Sequence, residues 1–191
     1  MTNSHHLSLR KLVQVSILGG LAYLLTYLSV PIIPIAPYMK LDFGDIPILL
    51  ATVLLSTRSG IVVALLRSLL YFIFTGISVI NLIGVSSLLV ASLTIIFSVT
   101  IIDQLLNSKI KYVAMIILET LSLTVIMSLM NYFIITPLYM QLTGFKLSFS
   151  LSSSIIYIVV PFNIIKGLFI GIIFVLLIKH SKTWEKYREK G

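Results

Sequence analysis

Apolar runs long enough to cross a lipid bilayer recur along this whole chain, and that limits its fold more than any other feature. A backbone in hydrocarbon must satisfy its own hydrogen bonds, which a helix does within one segment. The chain is 58% hydrophobic and 10% charged, with a mean hydropathy of +1.10, far from the balance of a soluble domain. Its 191 residues leave room for one membrane domain and no separate catalytic domain. The absence of cysteine excludes disulfide and thiolate chemistry.

Six spans fit the pattern: about 12–30, 46–57, 59–76, 82–106, 112–137 and 158–178. The first follows Arg10-Lys11 and has no small-residue cleavage site, so it reads as an uncleaved span rather than a signal peptide. The stretch from Ile46 to Gly76 covers about 46 Å as helix, too long for one crossing of a roughly 30 Å core and short for two. Thr57-Arg58-Ser59-Gly60 supplies a tight turn that divides it. Charge supports the division. Arg10, Lys11 and the basic tail from Lys179 to Lys190 both belong on the cytoplasmic side, which requires an even number of crossings. The short second span then either thins the membrane or packs against protein. The net charge of +8 follows this topology and forms no basic, aromatic-interleaved nucleic-acid surface.

Two outer loops result, 31–45 and 138–157. In the first, Pro31, Pro34 and Pro37 favour an extended, polyproline-like path. Asp45 reads as a capping carboxylate and Pro47 as a first-turn proline of the next helix, while Asp42 needs no role beyond solvation. In the second loop, residues Lys146 to Ser152 alternate polar and apolar, as an extended segment with one buried face does. Together the loops can close over a pocket.

Polar residues inside spans need a reason to be there. Asn163 and Lys166 share a face of the last span, and Thr120, Thr124, Ser128 and Asn131 form a stripe on the fifth. The two faces can converge beneath the outer loops, where amides and an ammonium suit a ligand rich in carbonyl or hydroxyl oxygens. The alternative is hydrogen bonding that joins the helices. Asn81 and Gly84, opening the fourth span, allow a planar ligand close to the backbone. Arg67 and Glu119 lie at similar depth with opposite sign and are expected to form a structural ion pair, with a proton relay as the alternative. Ser16 and Gly20 make a small-xxx-small pair on the first span, suited to an internal helix contact or to a docked subunit. No catalytic residue, metal site or cofactor is expected. The three histidines lie outside the spans, and neither a zinc-protease motif nor a phosphate loop is present.

The segment Lys40-Leu41-Asp42-Phe43-Gly44-Asp45-Ile46-Pro47-Ile48-Leu49-Leu50 resembles the S components of energy-coupling factor (ECF) vitamin transporters. So do Arg67-Ser68-Leu69-Leu70-Tyr71-Phe72, Asn131 and Pro161-Phe162-Asn163-Ile164-Ile165-Lys166-Gly167, which look like the riboflavin-specific branch. The resemblance implies a multi-pass bacterial membrane protein that is not an enzyme. It further implies capture of riboflavin from outside, and assembly with a transmembrane coupling subunit and two cytoplasmic ATPases that use the ATP. Met39, Leu41, Gly84, Asn81, Asn131, Asn163 and Lys166 are then the expected ligand contacts, and Ser16 and Gly20 the expected subunit contact. The family's Ala-x-x-x-Ala pattern is replaced here by those two small residues. Other vitamins such as biotin or thiamin, and a small proton-coupled carrier, are the competing readings; a pocket lysine disfavours cationic thiamin.

Overall fold

The computed structural model describes residues 9–34, 39–107, 110–144, 146–147 and 149–188, with side chains to His180. Among these, five helices are long and apolar enough to cross a membrane. They are α1 (Leu9–Tyr27), α3 (Thr57–Thr75), α4 (Val79–Leu105) and two composite helices. In the first composite helix, α5 (Lys111–Met130) runs through a π turn at Asn131–Ile135 into α6 (Thr136–Thr143). In the second, α7 (Leu151–Ser154) runs through a π turn at Ile155–Val159 into α8 (Val160–Arg188).

The short α2 (Asp45–Leu54) is the structural centre. Asp45 to Leu49, Ala51 and Thr52 are all buried, so the helix is covered on every side. It packs on α1, α3, α4 and α8. A helix that is apolar around its whole circumference belongs inside a bundle, and α2 packs against protein rather than lipid. Two apolar clusters meet across it. Leu49 faces Ile95, Leu123 and Phe174, while Ile48 faces Ala22, Val63, Ala64 and Ile96. Long apolar side chains such as Leu24, Leu69, Phe97, Leu121 and Leu176 point outward, as a bilayer permits.

The break between α2 and α3 falls at Leu55-Ser56, slightly earlier than the sequence suggested. Ser56 caps α3 by accepting the Ser59 N–H at 3.2 Å. Thr57 to Gly60 are therefore helical, and Gly60 serves packing instead of turning: a Cβ there would collide with Thr52.

The proline-spaced loop is also corrected. It is not extended polyproline throughout, because β1 (Ser29–Pro31) pairs antiparallel with β2 (Lys40–Asp42), in register Ser29↔Asp42 and Pro31↔Lys40. Pro34 sits in a turn and Pro37 lies outside the described residues. Pro47 is in the first turn of α2, as expected, but Asp45 makes no cap bond and its carboxylate turns inward. Instead, Asp42 accepts the Gly44 N–H at 2.9 Å. Gly44 is required by close approach: a side chain would meet the Ala22 carbonyl at 2.9 Å and the Arg67 guanidinium at 3.0 Å.

In the 138–157 loop the expected extended segment is absent from the described residues. Leu151 opens α7, capped by Ser150, which accepts the Ser153 N–H at 3.2 Å, and Phe149 is exposed. Of the serines in the alternation, Ser150 acts as a helix cap, which favours a helical start there over an extended strand.

Candidate functional site

The β hairpin closes one end of the bundle, and beneath it lies a cavity of about 330 Å³. That is within the range of small-molecule sites, roughly 300–1,000 Å³. Met39, Lys40 and Asp42 line it from the hairpin. The wall from α4 includes Ile83, Gly84 and Leu88, and the opposite walls carry Met127, Asn131, Ile135 and Tyr139 on one side and Phe162, Asn163 and Lys166 on the other. Polar and apolar residues thus face one space.

Both asparagines sit beside a π turn. Asn131 opens one, donating its amide to the Met127 carbonyl at 2.8 Å; Asn163 follows the other, donating to the Val159 carbonyl at 2.8 Å. A π turn widens the helix and leaves its carbonyl pattern irregular, and each side chain ties that irregularity down. The Asn131 side-chain oxygen also accepts from Thr136 at 3.3 Å. The sequence showed these residues on separate faces; packing of α5 against α8 brings them together.

Behind Lys166 lies a buried network of four charges. Its ammonium lies 3.2 Å from Asp42 Oδ2 and 3.0 Å from Asp45 Oδ2. Asp45 Oδ1 is 3.0 Å from the Arg67 guanidinium, which also lies 3.8 Å from Asp42. Arg67 donates to Ser92 Oγ at 2.6 Å and to the Leu88 carbonyl at 3.2 Å. All four charged residues are almost fully buried. Their formal charges cancel, which is the condition for keeping them out of water.

This overturns the expected Arg67–Glu119 pair. Glu119 is fully buried, but its carboxylate oxygens find no hydrogen-bond partner among the described residues, and one of them occupies the space beside Gly171 that a Cβ there would need. The physical reason is azimuthal. Matching depth does not make helices neighbours, and α3 packs on α1, α2 and α4 whereas α5 packs on α4 and α8. Asp42 and Asp45, read as solvating and capping, are the true partners. The available signal was their position beside a helix start in a chain with only six acidic residues.

Other expected contacts divide. Met39, Gly84, Asn131, Asn163 and Lys166 line the cavity. Leu41 does not; it is buried at 4% exposure, alternating with Lys40 and Asp42 along β2. Asn81 is a structural residue, donating to the Thr75 and Gly76 carbonyls at 3.0 and 2.7 Å and so closing the end of α3. Of the α5 stripe, Thr124 bonds the Thr120 carbonyl of its own helix, and Thr120 packs on Gly167. Ser16 is exposed on α1, and a Cβ on Gly20 would meet nothing within 4 Å, so this pair makes no internal helix contact; the neighbouring Gly19 packs on Leu66 instead.

A multi-pass helical bundle holding a mixed polar and apolar cavity under a hairpin is a small-molecule-binding membrane protein. The chain belongs to the family of ECF transporter substrate-specific components, whose model matches residues 10–178. It is 33% identical over 178 residues to "Riboflavin transporter RibU" of Staphylococcus aureus, covering 93% of each chain. It is 31% identical over 183 residues to "Riboflavin transporter FmnP" of Bacillus subtilis, covering 93% of this chain and 95% of that one. A solved structure described as "Structure and mechanism of the S component of a bacterial ECF transporter" matches with a TM-score of 0.78 and 31% identity, over 93% of this chain and 98% of the other. The family consists of transporter components, not enzymes.

Proposed function

We propose that this chain captures riboflavin from outside the cell and delivers it through an ATP-driven ECF importer, with a transmembrane coupling subunit and two ATPase subunits as partners. The observation that carries this reading is the mixed lining of one cavity, in a chain similar over more than nine-tenths of its length to transporters named for riboflavin. A flavin ring needs apolar walls, which Ile83, Leu88, Met127, Ile135 and Phe162 offer. Its carbonyls and hydroxyls need donors and acceptors, which Asn131, Asn163 and Lys166 offer. Riboflavin itself is cargo, and no further cofactor is invoked. Ser16 and Gly20, open on the face of α1, are assigned to contact with the coupling subunit.

The purified protein is expected to bind riboflavin, read by quenching of flavin fluorescence. Asn131→Ala and Asn163→Ala are each expected to weaken binding about tenfold to a hundredfold, the cost of about 1–3 kcal/mol for an unsatisfied buried polar group. Normal binding by both variants would place the ligand elsewhere.

The same reading makes the chain one membrane domain crossing six times, with α2 and α3 as a hairpin, both termini cytoplasmic, and the β1–β2 hairpin and the connection between α6 and α7 outside, the latter shorter than the expected 138–157 because its two ends are helical. Single cysteines in this cysteine-free chain test it. Phe149→Cys is expected to react with an impermeant thiol reagent on intact cells and His180→Cys only after lysis. The reverse pattern would invert the topology.

A further inference from the structure

A second concavity of about 330 Å³ lies on the other side of the cavity wall, between α4 and the continuation of α5. Val79, Leu82, Ile83, Ser86 and Ser87 recur at spacings of three and one, so they form a single face of α4. The wall opposite runs from Ile134 and Ile135 in the π turn to Leu138 and Leu142 on α6. A π turn bends a helix, and beyond it α6 packs less closely on α4 than α5 does, which leaves a groove. Among the described residues no charged side chain lines it, and its only polar side chains are the two serines. A polar cargo would lose its hydrogen bonds there.

The groove opens outward, because Val79, Leu82, Ile134, Leu138 and Leu142 are exposed and continue the apolar face that the bundle turns to the bilayer. Between Val79 and Ser87 α4 rises about 12 Å, close to the depth of one leaflet, about half of a roughly 30 Å hydrocarbon core. An extended hydrocarbon chain fits a slot of this volume, whereas the helix of a second copy, about 10–12 Å across, would stay on its rim. Left empty, the slot would forfeit dispersion contacts along both walls. Ile83, Ser87 and Ile135 line this groove and the ligand cavity alike, so a single layer of side chains separates the two.

We propose that one acyl chain of a membrane phospholipid lies in this groove and braces the shared wall, so that a filled groove raises the affinity of the cavity for its ligand. With the groove empty, Ile83 and Ile135 have room to turn outward and must be ordered when ligand binds; with it filled, that cost is already met. The lipid site stands on the membrane architecture alone, and its effect on affinity rests on the riboflavin reading given above.

Leu138→Trp and Leu82→Trp fill the groove from opposite walls without touching the cavity lining, and Leu121→Trp, on an exposed face of α5 outside the groove, is the control. The purified protein in detergent is titrated with dioleoyl phosphatidylglycerol and weighed intact by native mass spectrometry. The unmodified chain and Leu121→Trp are expected to retain one lipid, and both groove variants to retain it at least fivefold less. No retained lipid in the unmodified chain, or equal retention in all four proteins, would overturn the site. A dimer that both groove variants dissolve would overturn it too, by showing a second copy in the groove. Riboflavin affinity of the unmodified chain is expected to rise about threefold or more on adding the lipid, and that of Leu138→Trp to stay constant. An affinity that ignores lipid in the unmodified chain would overturn the bracing role. If the unmodified chain binds no riboflavin with or without lipid, the functional reading fails instead, while lipid retention still decides the site.

Discussion

Arg67→Met is expected to lower the stability of the folded bundle by about 3–5 kcal/mol, the usual cost of removing one partner from a buried ion pair. The substitution keeps an apolar stem in place of the guanidinium but leaves Asp42 and Asp45 to share the single ammonium of Lys166. Ser92 and the Leu88 carbonyl lose their donor as well. The loss should appear as a fall in the thermal unfolding midpoint in detergent, before any ligand is added. Glu119→Gln is the matched control, since it also changes a buried charged residue at mid-helix. Among the described residues Glu119 has no cation to abandon, so the amide is expected to fold within about 1 kcal/mol of the original. Equal damage from both changes would mean that Arg67 depends on Glu119 after all.

Gly167→Ala is expected to destabilise the α5–α8 contact by about 2–3 kcal/mol. A Cβ at Gly167 would stand 2.7 Å from the Thr120 Cα and 2.8 Å from its hydroxyl, so backbone must move. Gly171, one turn on, meets chiefly the end of the Glu119 side chain, which can swing aside, and Gly171→Ala should cost less. Gly20→Ala, with nothing in its way, is expected to leave stability unchanged or raise it slightly through helix propensity. The ranking Gly167, Gly171, Gly20 in detergent melting measurements is the test, and a flat response across the three would show that the helices separate without cost. Gly167 also adjoins Lys166, so strain at this contact should weaken ligand binding along with stability.

Gly167-Leu168-Phe169-Ile170-Gly171 is a small-xxx-small pattern that the sequence carried openly, and it marks a close helix contact inside the bundle. Ser16 and Gly20 carry the same kind of pattern and remain unpacked on α1. Spacing alone describes the two equally, because it reports a smooth helix face and not what lies against it. The same limit explains the acidic residues. Asp42 and Asp45 flank a helix start, where capping is the local expectation, yet both turn inward because Arg67 and Lys166 arrive there from α3 and α8.

Hydropathy by itself determined that this chain is a helical membrane bundle, since apolar length and hydrogen bonding within each segment require no knowledge of neighbours. Periodicity likewise determined that Asn163 and Lys166 share one helix face. Which faces meet was decided only by the tertiary structure. Depth along a helix can be read by counting residues, at about 1.5 Å each, but rotation about its axis and the identity of the adjacent helix depend on packing around α2. That packing separates Arg67 from Glu119, carries Asp42 and Asp45 to Lys166, and places Asn131, Asn163 and Lys166 around one cavity. Charges out of water take the nearest partner the assembled bundle supplies, and a linear sequence does not contain that distance.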